Sequence, residues 1–300
     1  MEVGKLYDEK YKDKMNDLQT IKKLKLKCDF EYELDKDGFC IKISFHDENH
    51  FLKNTIRKHP DKEKIIKIVS KFPKLRHVNL RKCRIDFFPS FKSSYIEYLD
   101  CSCNNIESVS DFNFEKLFFL NLGSNKIKKL PNLDSIPLSV LKVYKNPLIE
   151  IPKLPKTIKI LNLFLSYNLK KIPDYVWNFD LDYFSLSSFD LHKNNSYLNF
   201  KNIQWLNLSH CNIKNISLIY KLQKLRGLIL AKNKIQELPK EIDSLCELKV
   251  FSLYKNKLKK IPNSFLNLNL EKLCLEDNLL NVNQKNKVFE RYKKIRICKV

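Results

Sequence analysis

Two histidines four residues apart, in His46-Asp47-Glu48-Asn49-His50, have the spacing that on a helix aims both rings at one metal ion. A zinc-hydrolase motif of that spacing, H-E-x-x-H, requires glutamate straight after the first histidine. Here Asp47 stands there, the stretch follows a strand-like run, and no third ligand is in sight. A polar loop is expected, with no metal. Asp35-Lys36-Asp37-Gly38 opens like a calcium loop but lacks the later oxygen ligands and the closing glutamate, so it reads as a turn. The four glycines, Gly4, Gly38, Gly123 and Gly227, belong to no phosphate-cradling pattern. Nine cysteines are scattered, odd in number and without paired spacing, which fits reduced thiols in a cytosolic protein. No Ser/His/Asp or Cys/His arrangement emerges. The expectation is a non-catalytic protein without a cofactor.

What organises the chain is a repeat. Leu117 to Pro131 reads LFFLNLGSNKIKKLP, Leu225 to Pro239 reads LRGLILAKNKIQELP, and Leu248 to Pro262 reads LKVFSLYKNKLKKIP. The shared template L-x-x-L-x-L-x-x-N-x-L-x-x-[LI]-P opens at Leu75, Ile96, Leu117, Leu138, Ile160, Leu181, Ile203, Leu225, Leu248 and Leu270. Successive openings are 21 to 23 residues apart. The central L-x-L alternates as a half-buried strand does. Asn104, Asn125, Asn146, Asn168, Asn233, Asn256 and Asn278 fall where the chain leaves the strand, where an amide can bond backbone groups that a turn leaves unpaired. Cys83 and Cys211 take that slot in copies one and seven. Pro131, Pro152, Pro173, Pro239 and Pro262 close copies with an extended, polyproline-like segment. Two copies depart. In ILNLFLSYNLKKIP the register near Ile158 to Ile160 is open by a residue or two. Copy six has Phe189 in the asparagine slot and a tail from His192 to Asn199, read either as drift or as a loop displayed from the rim.

Period and consensus resemble the leucine-rich repeat (LRR) family. The resemblance covers about two thirds of the chain. It implies an α/β solenoid, a horseshoe with a parallel concave β-sheet and a short extended or 3-10 convex side, whose concave surface binds partners. The paired cysteine clusters that close extracellular members are absent. So is any domain after the repeats large enough for the catalytic cysteine of bacterial LRR ubiquitin ligases.

Around residues 74–280, the ends differ in character. Residues 1–73 form an N-terminal region with a hairpin at about 24–45, turning at Asp37-Gly38, and a helix at about 61–71 with Ile65, Ile66, Ile68, Val69 and Phe72 on one stripe. Residues 281–300 carry Val288, Phe289, Tyr292, Ile295 and Ile297 among lysines. Both read as caps on a core that would otherwise be open. A recruitment module is the other reading of the first, although no F-box-like leucine-proline pattern is present. The charged start has no apolar signal region and no run is long enough to span a membrane, so a cytoplasmic location is expected. The sequons at Asn194, Asn207 and Asn215 are read as chance.

A net charge of +22 would ordinarily point to nucleic acid or an anionic membrane. Of the 56 basic residues only seven are arginine, and Ala231 is the only alanine, the profile of an AT-rich genome rather than of a phosphate reader. Position narrows this further. The third, fifth and seventh template positions face the concave side, and their charges are Arg81, Lys142 and Lys272 against Asp100 and Glu276. The excess lysines instead follow the asparagines, among them Lys126, Lys128, Lys129, Lys170, Lys171, Lys214, Lys234, Lys257, Lys259 and Lys260. Seven of those thirty concave positions are aromatic: Tyr98, Phe119, Tyr144, Phe164, Tyr183, Trp205 and Tyr254, where the chain as a whole has 12% aromatic residues. Exposed aromatics on a rigid sheet anchor protein interfaces. A monomeric interaction scaffold is expected, with Arg81 and Lys142 steering a protein partner onto that strip. The alternatives are lysine-flank binding of nucleic acid or membrane, or a regulatory role such as a phosphatase-regulator-like subunit or a host-directed effector.

Overall fold

The computed structural model describes residues 17, 19–22, 30–45, 62–91, 93–110, 114–192, 194–293 and 296–298. His46–His50, residues 24–29 of the expected hairpin and Asp61 lie outside the described residues. Contacts divide the chain into two compact units, residues 1–142 with 152–157, and residues 143–151 with 158–300.

In the first unit, helical residues at 17 and 19–22 precede an antiparallel hairpin, β1 (Glu31–Leu34) and β2 (Cys40–Ser44). Asp35 makes the turn: its Oδ1 accepts from the backbone N–H groups of Asp37 and Phe39, and Gly38 adopts φ 82°. The carboxylate is thus used by the turn itself. β2 then pairs in parallel with β3 (His77–Asn79), which makes the hairpin the first rung of the repeat sheet. The helix α1 spans Lys62–Val69, with Ile65, Ile68 and Val69 buried. β4 (Tyr98–Asp100), β5 (Phe119–Asn121) and β6 (Val140–Lys142) follow, each parallel to its predecessor and one repeat on.

The second unit continues the scheme with β7 (Ile160–Leu163), β8 (Tyr183–Ser187), β9 (Trp205–Ser209), β10 (Gly227–Ile229), β11 (Val250–Ser252), β12 (Lys272–Cys274) and β13 (Arg296–Cys298). Short 3-10 turns occupy the returns at Asp174–Asn178, Ser196–Asn199, Ile219–Lys221, Ile242–Ser244 and Asn263–Asn267. Pro173 and Pro262, with ψ of 142° and 152°, are the extended lead-ins to two of them. The helix α2 (Val282–Tyr292) is capped by Asn281, whose side chain accepts from Gln284 N–H. Tyr292 Oη bonds the carbonyls of Phe265 and Leu268 beneath it.

The core repeats as the template demands. Leucines of the fourth and sixth positions, such as Leu99, Leu120, Leu122, Leu206, Leu208, Leu228 and Leu230, are fully buried. The asparagines close each strand from inside. Asn125 Nδ2 donates to the carbonyls of Cys101 and Leu122, one on each of two successive copies, while its Oδ1 accepts from Ile106 N–H. Asn104, Asn233, Asn256 and Asn278 repeat this pattern. Cys83 and Cys211 replace it partly: each thiol donates to the carbonyl of the preceding strand or loop, Phe45 and Leu186 respectively. The amide reaches this position because the residue before it swings to positive φ in every copy: Lys82, Cys103, Ser124, Lys145, Leu165, Ser188, His210, Lys232, Lys255 and Asp277, at φ between 52° and 62°. In the two cysteine copies Arg84 and Asn212 are left-handed as well.

That series corrects copy five. Ile160 pairs with Tyr183, a third-position residue, and Leu165 carries the positive φ, so the copy opens at Ile158 rather than Ile160. Buried Ser166 takes the asparagine slot, and exposed Asn168 does not belong to the ladder. The ambiguity is physical, because apolar residues at 158, 160, 161, 163 and 165 let the template fit at two openings. Of the two readings of the copy-six tail, the packing does not favour a displayed loop. Leu191, Tyr197 and Phe200 are buried, and Phe200 packs against Trp177 and Phe184 with ring centroids at 5.8 and 5.2 Å.

Candidate aromatic interaction face

On each strand the third, fifth and seventh template residues point away from the leucine core. In half of the copies the fifth-position side chain serves the backbone. Asn79, Asp100, Asn121, Asn162 and Asn207 each accept from the N–H two residues on, which holds the strand end against fraying. Asp100 is committed furthest: Ser102 Oγ also donates to it at 2.6 Å and Asn121 Nδ2 at 2.9 Å. The template predicts the face these residues share but not this job.

The third position carries the rings. In the first unit Tyr98 and Phe119 stack with centroids 4.1 Å apart and planes within 9°. His77, which sequence reasoning passed over, extends the stack at 3.9 Å and 4°. It occupies the third position of copy one, so the template marks it, but it is neither charged nor aromatic by the tally that found the others. Lys142 Nζ lies 5.2 Å from the Phe119 centroid and ends the column as a cation–π partner. Arg81 stands exposed on the seventh position of copy one. Burial, and next the charge of Lys42, lower the His77 imidazole from its ordinary 6.5, and burial beside Asp100 raises the Tyr98 phenol. Both side chains are therefore neutral near pH 7.

In the second unit Tyr183 and Trp205 are register partners on β8 and β9. The indole does not stand upright; it lies over the next strand. A Cβ on Gly227 would come within 2.4 to 2.7 Å of three ring carbons of Trp205. Glycine at this third position is what lets the ring lie down, a role invisible in the repeat consensus. Burial raises the Tyr183 phenol. Tyr144, Phe164 and Tyr254 occupy the seventh position of their copies, a separate row from Tyr183 and Trp205. All seven expected aromatics are half-buried, with part of each ring in solvent.

No protein-family model and no curated protein matches the sequence. Solved structures do. An LRR protein of Leptospira interrogans, LIC12759, is similar over 77% of this chain and 68% of its own, at 23% identity and TM-score 0.61. Internalin InlF from Listeria monocytogenes matches over 69% of this chain and 76% of its own, at 18% identity and TM-score 0.52. This is a leucine-rich-repeat fold. The Arabidopsis receptor kinase HAESA, solved with the peptide hormone IDA and the co-receptor SERK1, matches over 90% of this chain at 22% identity and TM-score 0.64. This LRR chain spans 47% of HAESA. At such identities the likeness is one of fold. Among the described residues, no group of three or more His, Cys, Asp or Glu side chains is placed to hold a metal ion. No described helix is long and apolar enough to cross a membrane.

Proposed function

We propose that this LRR chain is a non-catalytic scaffold that binds a protein partner on the exposed face of its sheet. The observation that carries this reading is the placement of seven large aromatics, each partly in solvent, on the outward sheet rows of the two units, where the asparagine ladder fixes the backbone. Such rings bury much area on binding and lose little entropy. We further propose that residues 1–73 and 281–300 cap the repeats, and that the protein works as a monomer in a reducing, cytoplasmic setting.

The test is a double substitution, Trp205→Ala with Tyr183→Ala, measured against the partner recovered from the source organism. Removing two interface anchors is expected to weaken binding by about 100-fold, at roughly 1.4 kcal/mol per ring. Circular dichroism should be retained, because neither ring is in the leucine core. Unchanged affinity would contradict the proposal. The competing account is the lysine flank, where Lys232, Lys234 and Lys257 stand exposed on adjacent loops. It predicts binding to nucleic acid or anionic vesicles that disappears with salt.

A further inference from the structure

We propose that the exposed face of β2 to β6 takes an extended acidic segment of the partner, laid across the strands along the His77–Tyr98–Phe119 column. This rests on the reading that the sheet face binds protein, and adds to it the chemistry of what is bound.

The rings stack nearly face to face from strand to strand, so each covers the faces of its neighbours and presents an edge outward. Ring edges carry the positive end of the aromatic quadrupole and attract oxygen acceptors, carboxylates above all. Formal charges reinforce this. Lys42 is the register partner of His77 at one end of the column, with the exposed Glu33 carboxylate of β1 at 3.8 Å from its Nζ, and Lys142 closes the other. Arg81, exposed on the seventh position of copy one, bears on the Tyr98 phenol electrostatically. On the third-, fifth- and seventh-position rows of these strands the single acid is Asp100. It is 7% exposed, and both its oxygens accept bonds from Ser102 and Asn121. Glu33 offsets Lys42 at the β2 end, so the positive charge that an approaching chain meets comes from Arg81 and Lys142.

Length gives the occupant. Strands lie about 4.8 Å apart, so the four spacings from β2 to β6 cover about 19 Å, the reach of about six residues of extended chain. A single-stranded nucleic acid fits less well. Its bases bind by stacking on open ring faces, and the column has covered them. The same rows of copies five to nine in the second unit, from Ile160 to Tyr254, hold no charged residue, so this selectivity belongs to the first unit.

The experiment uses the full chain and a fluorescein-labelled peptide of about twelve residues, twice the column's reach, rich in Glu and Asp. A second peptide carries Gln and Asn in their place, and a single-stranded DNA of similar length is the third ligand. At about 150 mM salt, where exposed long-range attraction is screened, the acidic peptide is expected to bind and the amide peptide not to bind. Arg81→Gln with Lys142→Gln should weaken the acidic peptide about tenfold, and Tyr98→Leu with Phe119→Leu should do the same without changing charge. Lys232→Gln with Lys257→Gln, on the flank of the other unit, should leave it unchanged. Thermal melts of each variant establish that it is folded, and the two site pairs stand in for each other if one is not. Equal binding of the amide peptide would overturn the proposal. So would an equal loss in the flank variant, or DNA displacing the peptide from the column. If the natural partner is still lost in the Tyr183/Trp205 variant while the acidic peptide fails, the face-binding reading stands and this one falls.

Discussion

At the scale of single residues, the ladder asparagines hold buried backbone groups of two successive copies at once. Asn125 satisfies two buried carbonyls and one buried N–H, and no water reaches them. Leaving such groups unpaired costs about 1–3 kcal/mol, so Asn125→Ala should lower unfolding stability by about 2–3 kcal/mol in a denaturant titration. Asn168→Ala, at an exposed position outside the ladder, should stay within about 0.5 kcal/mol. Equal losses at both positions would show that the copy-five register is wrong. His77 makes a pH prediction. Its imidazole titrates below its ordinary 6.5 in the fold, so as pH falls the unfolded chain takes up the proton first. The stability this group contributes is complete above about 6.5 and is lost as pH drops towards the folded value. His77→Phe keeps a flat ring in the stack and removes the titration. Its melting temperature should fall less than the wild type's between pH 7.5 and pH 5.5, and parallel curves would refute the assignment.

Among the elements, the pairing of β9 with β10 shows how a neighbour sets the attitude of an interface ring. Gly227→Ala puts a methyl into the space held by Trp205. The ring must lift, which should alter the near-ultraviolet circular dichroism and Trp emission while far-ultraviolet signals hold; an unchanged spectrum would mean that the indole is not seated there. How far such elements can be read from sequence depends on repetition. The strands, the leucine core and the asparagine slots are legible because each copy restates them, and chance agreement in one window is corrected by the others. Copy five fails where Ile158 and Ile160 both fit the first position, and its pairing with β8 and the left-handed Leu165 resolve the choice. The left-handed residues are illegible for a different reason. Lys82, Leu165 or Lys255 carries no glycine signature, and the turn keeps its left-handed residue whether cysteine, serine or asparagine follows, so no residue type marks it. The face itself was foreseeable, as seven aromatics sit where the template puts them. The stacked column was not, because the contribution of His77 and the seat under Trp205 arise between copies, and a template describes one copy at a time.

For the molecule as a whole, charge and chemistry fall on different surfaces. The chain carries +22, yet the sheet face from Ile160 to Tyr254 has no charged residue on its three outward rows, and the lysines crowd the loops after the asparagines. A surface built for phosphate would put its cations where its rings are. Here the rings sit mostly on uncharged ground, with a small basic edge in the first unit. Association led by that face should survive salt that abolishes purely electrostatic binding, since screening shortens charge interactions and leaves apolar burial intact. The most direct test is therefore a pull-down from the source organism's lysate with the tagged chain, washed at low and at high salt, beside the Trp205→Ala/Tyr183→Ala bait. The account predicts a defined protein retained by the wild type at high salt and lost from the variant. Nucleic acid or lipid alone, released as salt rises and indifferent to the two rings, would contradict it and make the lysine flank the working surface.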